Sequence, residues 1–351
     1  MPRTFATLSD ILHHGADTLI DVRSPAEFAI DHVPGAINLP ALSNEERARV
    51  GTIYKQVSAF DARKIGAALV ARNVAAHLEG PLAGMDGGWR PLVYCWRGGQ
   101  RSGSFAAILS QIGWRAETVA GGYQAFRRMV AGMLHDVPLP HRLILLDGNT
   151  GTGKTALLSR LAAVGVQVID LEGLANHRGS LLGDLAGGQP SQKMFETRLA
   201  QALTGCDPAR PVVVEAESSK IGRLNLPPSV WAAMITAPRI IVAADVAARA
   251  RFLADVYATL GADVAGLRRR LESLRRIRGH AIVDRWMALL ADDDAVGLAH
   301  ALITDHYDPA YRTSRKSLAA DVLGEVDGGD LSDAALGQAA RAVADLVSRA
   351  E

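Results

Sequence analysis

The sequence predicts an α/β chain of two domains, each a parallel sheet wrapped by helices, with a helical part at the C-terminal end. Three observations lead there. The chain has 351 residues, 48% of them hydrophobic, which suits two ordinary cores better than one. Through the first half, short apolar runs alternate with helical patterns. The second half opens on an apolar run, a glycine-rich loop and a helical stretch, the order of a strand, a tight turn and a crossover helix.

In chain order, TLIDVR (18–23) reads as a buried strand and AFDARKIGAALVARNVAAHL (59–78) as a helix. RPLVYC (90–95) is a second strand, SGSFAAILSQIG (102–113) a helix, AETVAGG (116–122) a strand, and YQAFRRMVAGML (123–134) a helix. Two prolines in HDVPLPH (135–141) stop that helix, and the boundary is placed there, giving domains 1–137 and 138–351. In the second, RLILLDG (142–148), QVIDLEG (167–173), PVVVEAES (211–218) and PRIIVAAD (238–245) are buried-strand candidates. From about 245 to 351 the pattern is helical and rich in Ala, Arg and Leu.

Lys and Arg number 38 against 37 Asp and Glu, so any nucleic-acid contact must come from a local basic patch. No run approaches the roughly 20 apolar residues of a membrane span. The opening MPRTFATLSDILHHG lacks a secretory apolar core, so a cytoplasmic protein with no membrane contact is expected. The two cysteines, Cys95 and Cys206, and ten scattered histidines indicate neither a disulfide framework nor a zinc site.

Gly148-Asn149-Thr150-Gly151-Thr152-Gly153-Lys154-Thr155 satisfies G-x-x-x-x-G-K-[ST], with an apolar run before it and a helical one after. Gly148, Gly151 and Gly153 let backbone N–H groups turn inward around phosphate oxygens, and the helix aims its positive end at them. Lys154 would neutralise a terminal phosphate, and Thr155 would ligate Mg²⁺. Glu215, ending PVVVE, and Asp170, ending VQVID, stand either as metal-associated acids or as plain strand ends.

Cys95 lies at a strand-to-helix turn in VYCWRGGQRS. The helix dipole, Arg97 and Arg101 would lower its pKa and hold an anion, an electropositive cup of the kind thiolate chemistry needs. Five residues separate Cys95 from Arg101, a spacing that thiol phosphatases share and that suits a tetrahedral, phosphate-sized anion.

LIDVRSPAEFAIDHVPGAINLP, YCWRGGQRS and AGGYQAFR together resemble a rhodanese domain, over about residues 5–135. That resemblance implies a doubly wound fold and sulfur or selenium transfer through a cysteine, with Asp21 and Arg23 as structural supports. A P-loop NTPase-like α/β domain follows. LPALSNEERARVGTIYKQVSAFDARKIG (39–66), VIDLEGLANHRGS (168–180), VEAESSKIGRLNLP (214–227) and HYDPAYR (306–312) extend the likeness along the chain. In this order the two halves resemble the bacterial tRNA 2-selenouridine synthases.

The resemblance implies that 2-thiouridine at the tRNA wobble position is S-geranylated from geranyl diphosphate and then converted to 2-selenouridine by selenophosphate. It assigns the P-loop to geranyl diphosphate, with Mg²⁺ as a candidate companion, and the Cys95 loop to selenophosphate. Cys95 either carries selenium covalently or only positions its donor. The partners implied are tRNA and a selenophosphate-producing enzyme. Glu172 also falls in a family string. Phe195, in SQKMFETRLAQAL, lines the prenyl pocket or belongs to a core.

For tRNA, residues 267–278 keep leucines on one helical face and arginines elsewhere. Arg268, Arg269, Arg275 and Arg276 make either a phosphate-binding face or an ordinary solvated one. His306, Tyr307 and Tyr311 stack on an unpaired base or pack a C-terminal turn. The competing functions are a P-loop kinase with a regulatory first domain, a thiol phosphatase joined to a nucleotide-binding unit, and an RNA-binding scaffold.

Overall fold

The computed structural model describes residues 2–179, 183, 185–258, 264–314 and 321–350. The chain divides into two compact units: Met1–Asp136 with Pro190–Thr204, and Val137–Gln189 with Gly205–Glu351. The helix Gln192–Thr204 thus groups with the first unit although its sequence lies among second-unit elements. Met194, Phe195, Leu199 and Leu203 are buried on it, and it packs against the first-unit helices Leu8–Leu12 and Gly122–Ala131. Its buried Glu196 is ion-paired with Arg127. Phe195 is therefore core of the first unit.

The first sheet contains β1 (Pro2–Arg3), β2 (Thr18–Asp21), β3 (Ile37–Asn38), β4 (Pro91–Tyr94) and β5 (Glu117–Val119), ordered β1-β5-β4-β2-β3. Every pairing is parallel. Ile20 faces Val93 across β2 and β4, and every residue of β4 is buried, as a strand covered on both faces requires. Val93, Phe105, Leu109 and the edge-on pair Trp89–Trp114 form the core. The end of β4 delivers Cys95 into the turn before the helix Gln100–Ile112, where ligands gather in such sheets.

The second sheet contains β6 (Leu143–Gly148), β7 (Gln167–Ile169), β8 (Val212–Glu215), β11 (Arg239–Ala243) and β12 (Val322–Asp327). Its order is β12-β11-β6-β8-β7, again all parallel. Two short strands, β9 (Lys220–Ile221) and β10 (Leu224–Asn225), pair separately. Fully buried β6 ends on Gly148, opening the glycine-rich loop between its strand and the helix Lys154–Ala163.

The C-terminal part is helical around a core of Leu271, Leu274, Val283, Trp286 and Leu302. It then returns to the sheet as edge strand β12 and the helix Asp333–Arg349, which packs on Lys154–Ala163. Among the described residues no helix is long and apolar enough to cross a membrane.

Candidate active site

In the first unit Cys95 is 4% exposed. Its Sγ accepts the backbone N–H of Gly99 at 3.3 Å and the hydroxyl of Ser102 at 3.2 Å. Burial pushes the thiol up; the Ser102 hydroxyl and backbone, the Gly99 N–H and the charge of Arg101 outweigh it, leaving Cys95 below the ordinary thiol range. Ser102 is the strongest of these helpers and was not foreseen. Only the fold, which puts it one helical turn past Gly99, brings its hydroxyl back onto the sulfur.

Arg101 donates to Glu27 at 2.9 Å, and Glu27 also holds Arg47 at 3.1 Å. Burial works against the Glu27 carboxylate, but Arg101 and Arg47 keep it below its usual range. Arg101 is thus a fixed part of the loop, whereas Arg97 is exposed.

The loop is held from behind by the AGGYQAFR string. Tyr123 N–H donates to Cys95 O and Gln124 N–H to Trp96 O, both at 2.9 Å. At Gly122, with φ +55°, a Cβ would stand 2.3 Å from Cys95 O, so only glycine allows that approach. Asp21 and Arg23 lie beneath, both fully buried and doubly bonded, with the Arg23 guanidinium 3.9 Å from the Tyr123 ring centroid.

In the second unit Gly153, at φ +76°, caps the helix Lys154–Ala163. Lys154 Nζ spans the P-loop to donate to Gly148 O at 2.8 Å, and lies 5.8 Å from the Tyr311 ring centroid. Burial opposes the ammonium, but Tyr311, Glu217, Glu172 and Asp147 more than compensate, so it stays charged. Thr155 Oγ1 donates to Glu172 Oε2 at 3.2 Å. These groups open onto a cavity of about 380 Å³ that is polar at Lys154, Thr155, Asp170 and Glu172 and apolar at Phe252, Leu253 and Val256.

The two strand-end acids take different places. Glu215 is fully buried and accepts the Leu171 N–H at 2.8 Å. Burial, then the neighbouring Asp170, pushes its carboxyl well above its ordinary value, and its bond to Leu171 makes Glu215 a buttress for the short helix that follows. Asp170 caps the short helix Leu171–Ala175 through the Gly173 N–H and lines the cavity. Glu172 and Glu217 act directly on the loop's side chains: Glu172 accepts from Thr155, and both support the charge of Lys154. Burial and the charge of Glu172 push Glu217 up to about 8. The signal for Glu217 was its place two residues beyond Glu215 in VEAES.

Among the described residues no three or more His, Cys, Asp or Glu side chains gather as a metal site. Thr155 and Glu172 offer hard oxygen atoms beside the glycine-rich loop. Such a partial shell fits Mg²⁺, which keeps waters and substrate phosphates among its ligands.

A family model described as the tRNA 2-selenouridine synthase AAA domain matches residues 141–269, and one described as a rhodanese-like domain matches residues 4–129. A protein named tRNA 2-selenouridine synthase from Alcanivorax borkumensis is 35% identical over 338 residues, 87% of this chain and 91% of that protein. One so named from Pseudomonas syringae pv. syringae is 34% identical, covering 87% and 90%. Another from Aeromonas salmonicida is 36% identical, covering 84% and 86%. The chain belongs to the tRNA 2-selenouridine synthase family.

The strings that carry the resemblance to the tRNA 2-selenouridine synthases acquire structural roles. HYDPAYR supplies Asp308, whose carboxylate holds both terminal nitrogens of Arg249 at 2.7 and 3.0 Å, while Arg249 Nε donates to Thr150 O at 2.9 Å. Tyr311 from the same string lines the cavity. Tyr307 is 6% exposed and packs with Leu271 and Trp286, the packed-turn alternative of the two the sequence left open. His306 lies edge-on to both Trp286 and Tyr307.

The basic stretch is two helices, Val264–Ser273 and Arg275–Arg278, with Leu271 and Leu274 buried at the break. Arg268, Arg269 and Arg276 are exposed. Arg275 is tied to Glu272 and to Asp284, so its charge is largely neutralised before any phosphate arrives.

Proposed function

We propose that this protein is a tRNA-modifying transferase that converts wobble 2-thiouridine to 2-selenouridine in two steps, working in the cytoplasm. The observation that carries the reading is that one chain holds two anion cradles with different reactive groups: a P-loop with Lys154 and Thr155, and a loop with Cys95 and Arg101.

In the first step geranyl diphosphate sits with its diphosphate on Gly148, Gly151, Gly153, Lys154 and Thr155. Phe252, Leu253 and Val256 suit the start of an apolar chain. The thiocarbonyl sulfur attacks the first prenyl carbon; an S–C bond forms, the C–O bond breaks, diphosphate leaves, and the base gives up its N3 proton to solvent. Lys154 stabilises the charge that develops on it. Mg²⁺, held by Thr155 and Glu172, would screen the same charge.

In the second step selenophosphate lies in the Cys95 loop, bound by backbone N–H groups, Arg97 and Arg101. Alkylation has made the sulfur a leaving group, so selenium adds at C2, the C2–S bond breaks, and the geranyl thiolate departs. Water releases the phosphate. Cys95, kept acidic by Ser102 and Gly99, is the group placed to receive or steer the donor.

The test is nucleoside mass spectrometry of 2-thiouridine-containing tRNA incubated with the protein, geranyl diphosphate and selenophosphate, leaving out each donor in turn. The expected result is a sulfur-to-selenium mass change that needs both donors. Unchanged tRNA together with hydrolysis of added ATP would transfer the reading to the kinase alternative.

A further inference from the structure

The helices Asn44–Gln56 and Ala59–Glu79 pack against each other as a hairpin between β3 and β4. Its root is firmly held. Ser43 and Glu46 form a capping box, Asn73 donates to Glu46 and to Ala41 O, and Val50 and Ile65 pack on the core. Its tip is the reverse: Tyr54 is 57% exposed, Val57 75% and Phe60 67%.

Three large, exposed side chains within seven residues of one tip are an unusual use of surface, and the charges around them define the partner. Residues 47–64 carry Arg47, Arg49, Lys55, Arg63 and Lys64 against the single acid Asp61, in a chain whose net charge is only +1. Lys55, Arg63 and Lys64 are exposed, and Lys64 Nζ lies 6.0 Å from the Phe60 ring centroid. Rings interleaved with cations match single-stranded RNA, whose bases stack on aromatic faces while phosphates meet the charges.

The hairpin also begins at the reactive loop. Arg47, in its first helix, shares the Glu27 carboxylate with Arg101 of the Cys95 loop. Tyr54 follows Arg47 by about 10 Å along the helix.

We infer that this hairpin tip is a docking surface for the unpaired anticodon-loop nucleotides of the substrate RNA, with Tyr54 and Phe60 stacking on bases and Lys55 and Arg63 holding phosphates. The inference rests on the tRNA reading of the preceding section. It gives the Cys95 loop an RNA contact within the first unit.

The experiment measures binding of 2-thiouridine-containing tRNA to the full chain over a salt series. It uses wild type, a Tyr54→Ala/Phe60→Ala variant and a Lys55→Gln/Arg63→Gln variant, with thermal melting to verify folding. The ring variant should bind roughly tenfold or more weakly with an unchanged salt slope. The charge variant should reduce the slope of log K against log salt by roughly 1 to 2. A wild type that binds while both folded variants bind equally well sinks the surface and leaves the tRNA reading standing. A wild type that binds no tRNA sinks both. If wild type sediments as a dimer that the ring substitutions dissociate, the tip meets a second copy and the inference is wrong.

Discussion

Arg249 is gripped at both terminal nitrogens by Asp308, and that grip leaves Nε pointing at the Thr150 carbonyl inside the P-loop. With Arg249 only 3% exposed, the pair is a support for the loop. Asp308→Asn leaves a buried guanidinium without its counter-charge and should lower unfolding free energy by about 3 kcal/mol, read by urea denaturation. Arg249→Lys keeps the charge but loses the fork, and should weaken diphosphate binding measured by calorimetry. Wild-type stability in Asp308→Asn would show that the pair supports nothing.

Ser102 acts on Cys95 through one hydroxyl. Because that hydroxyl favours the thiolate, its removal in Ser102→Ala should move the midpoint of the pH profile for Cys95 alkylation upward. Wild type should have its midpoint below that of an ordinary thiol. The profile comes from iodoacetamide labelling followed by peptide mass spectrometry, with Cys206 in the same digest for comparison, since burial pushes that thiol up. An identical profile in both proteins would remove Ser102 from the account.

Both reactive loops were legible because each follows a strand buried along its whole length, β4 before Cys95 and β6 before Gly148. An unbroken apolar run with a glycine turn has few other meanings. The helix Gln192–Thr204 was not legible as part of the first unit, because which core a helical face joins depends on tertiary partners such as Arg127. Nor was β12, whose half-exposed residues follow a long helical tract. The two alternatives for Glu215, metal-associated acid or plain strand end, could not be separated by strand position, because only the fold turns its side chain inward to Leu171 N–H.

Glu217 makes a pH prediction. Its folded pKa is raised from 4.5 to about 8 by burial and by Glu172, so in that window the folded chain keeps a proton that the unfolded chain releases. Stability therefore falls as pH rises through the window. Melting temperatures of the ligand-free protein at a series of pH values should show this slope, and Glu217→Gln should flatten it. A slope that persists in Glu217→Gln belongs to another group.

The two cradles should fail separately. Lys154 is bonded to Gly148 O inside its own loop, while Cys95 is bonded to Gly99 and Ser102 in the other unit. On the proposed two-step reaction, Lys154→Ala removes the charge that would stabilise departing diphosphate, a loss on the order of 10²-fold or more for a preorganised electrostatic contact. It should leave 2-thiouridine unreacted. Cys95→Ala leaves the P-loop intact, so geranylated nucleoside should form and accumulate without selenium. Supplying pre-geranylated tRNA separates the steps further: Lys154→Ala should then incorporate selenium, and Cys95→Ala should not. If Cys95→Ala also stopped geranylation, the division of labour between the loops would be refuted, because the first step would need the thiolate as well.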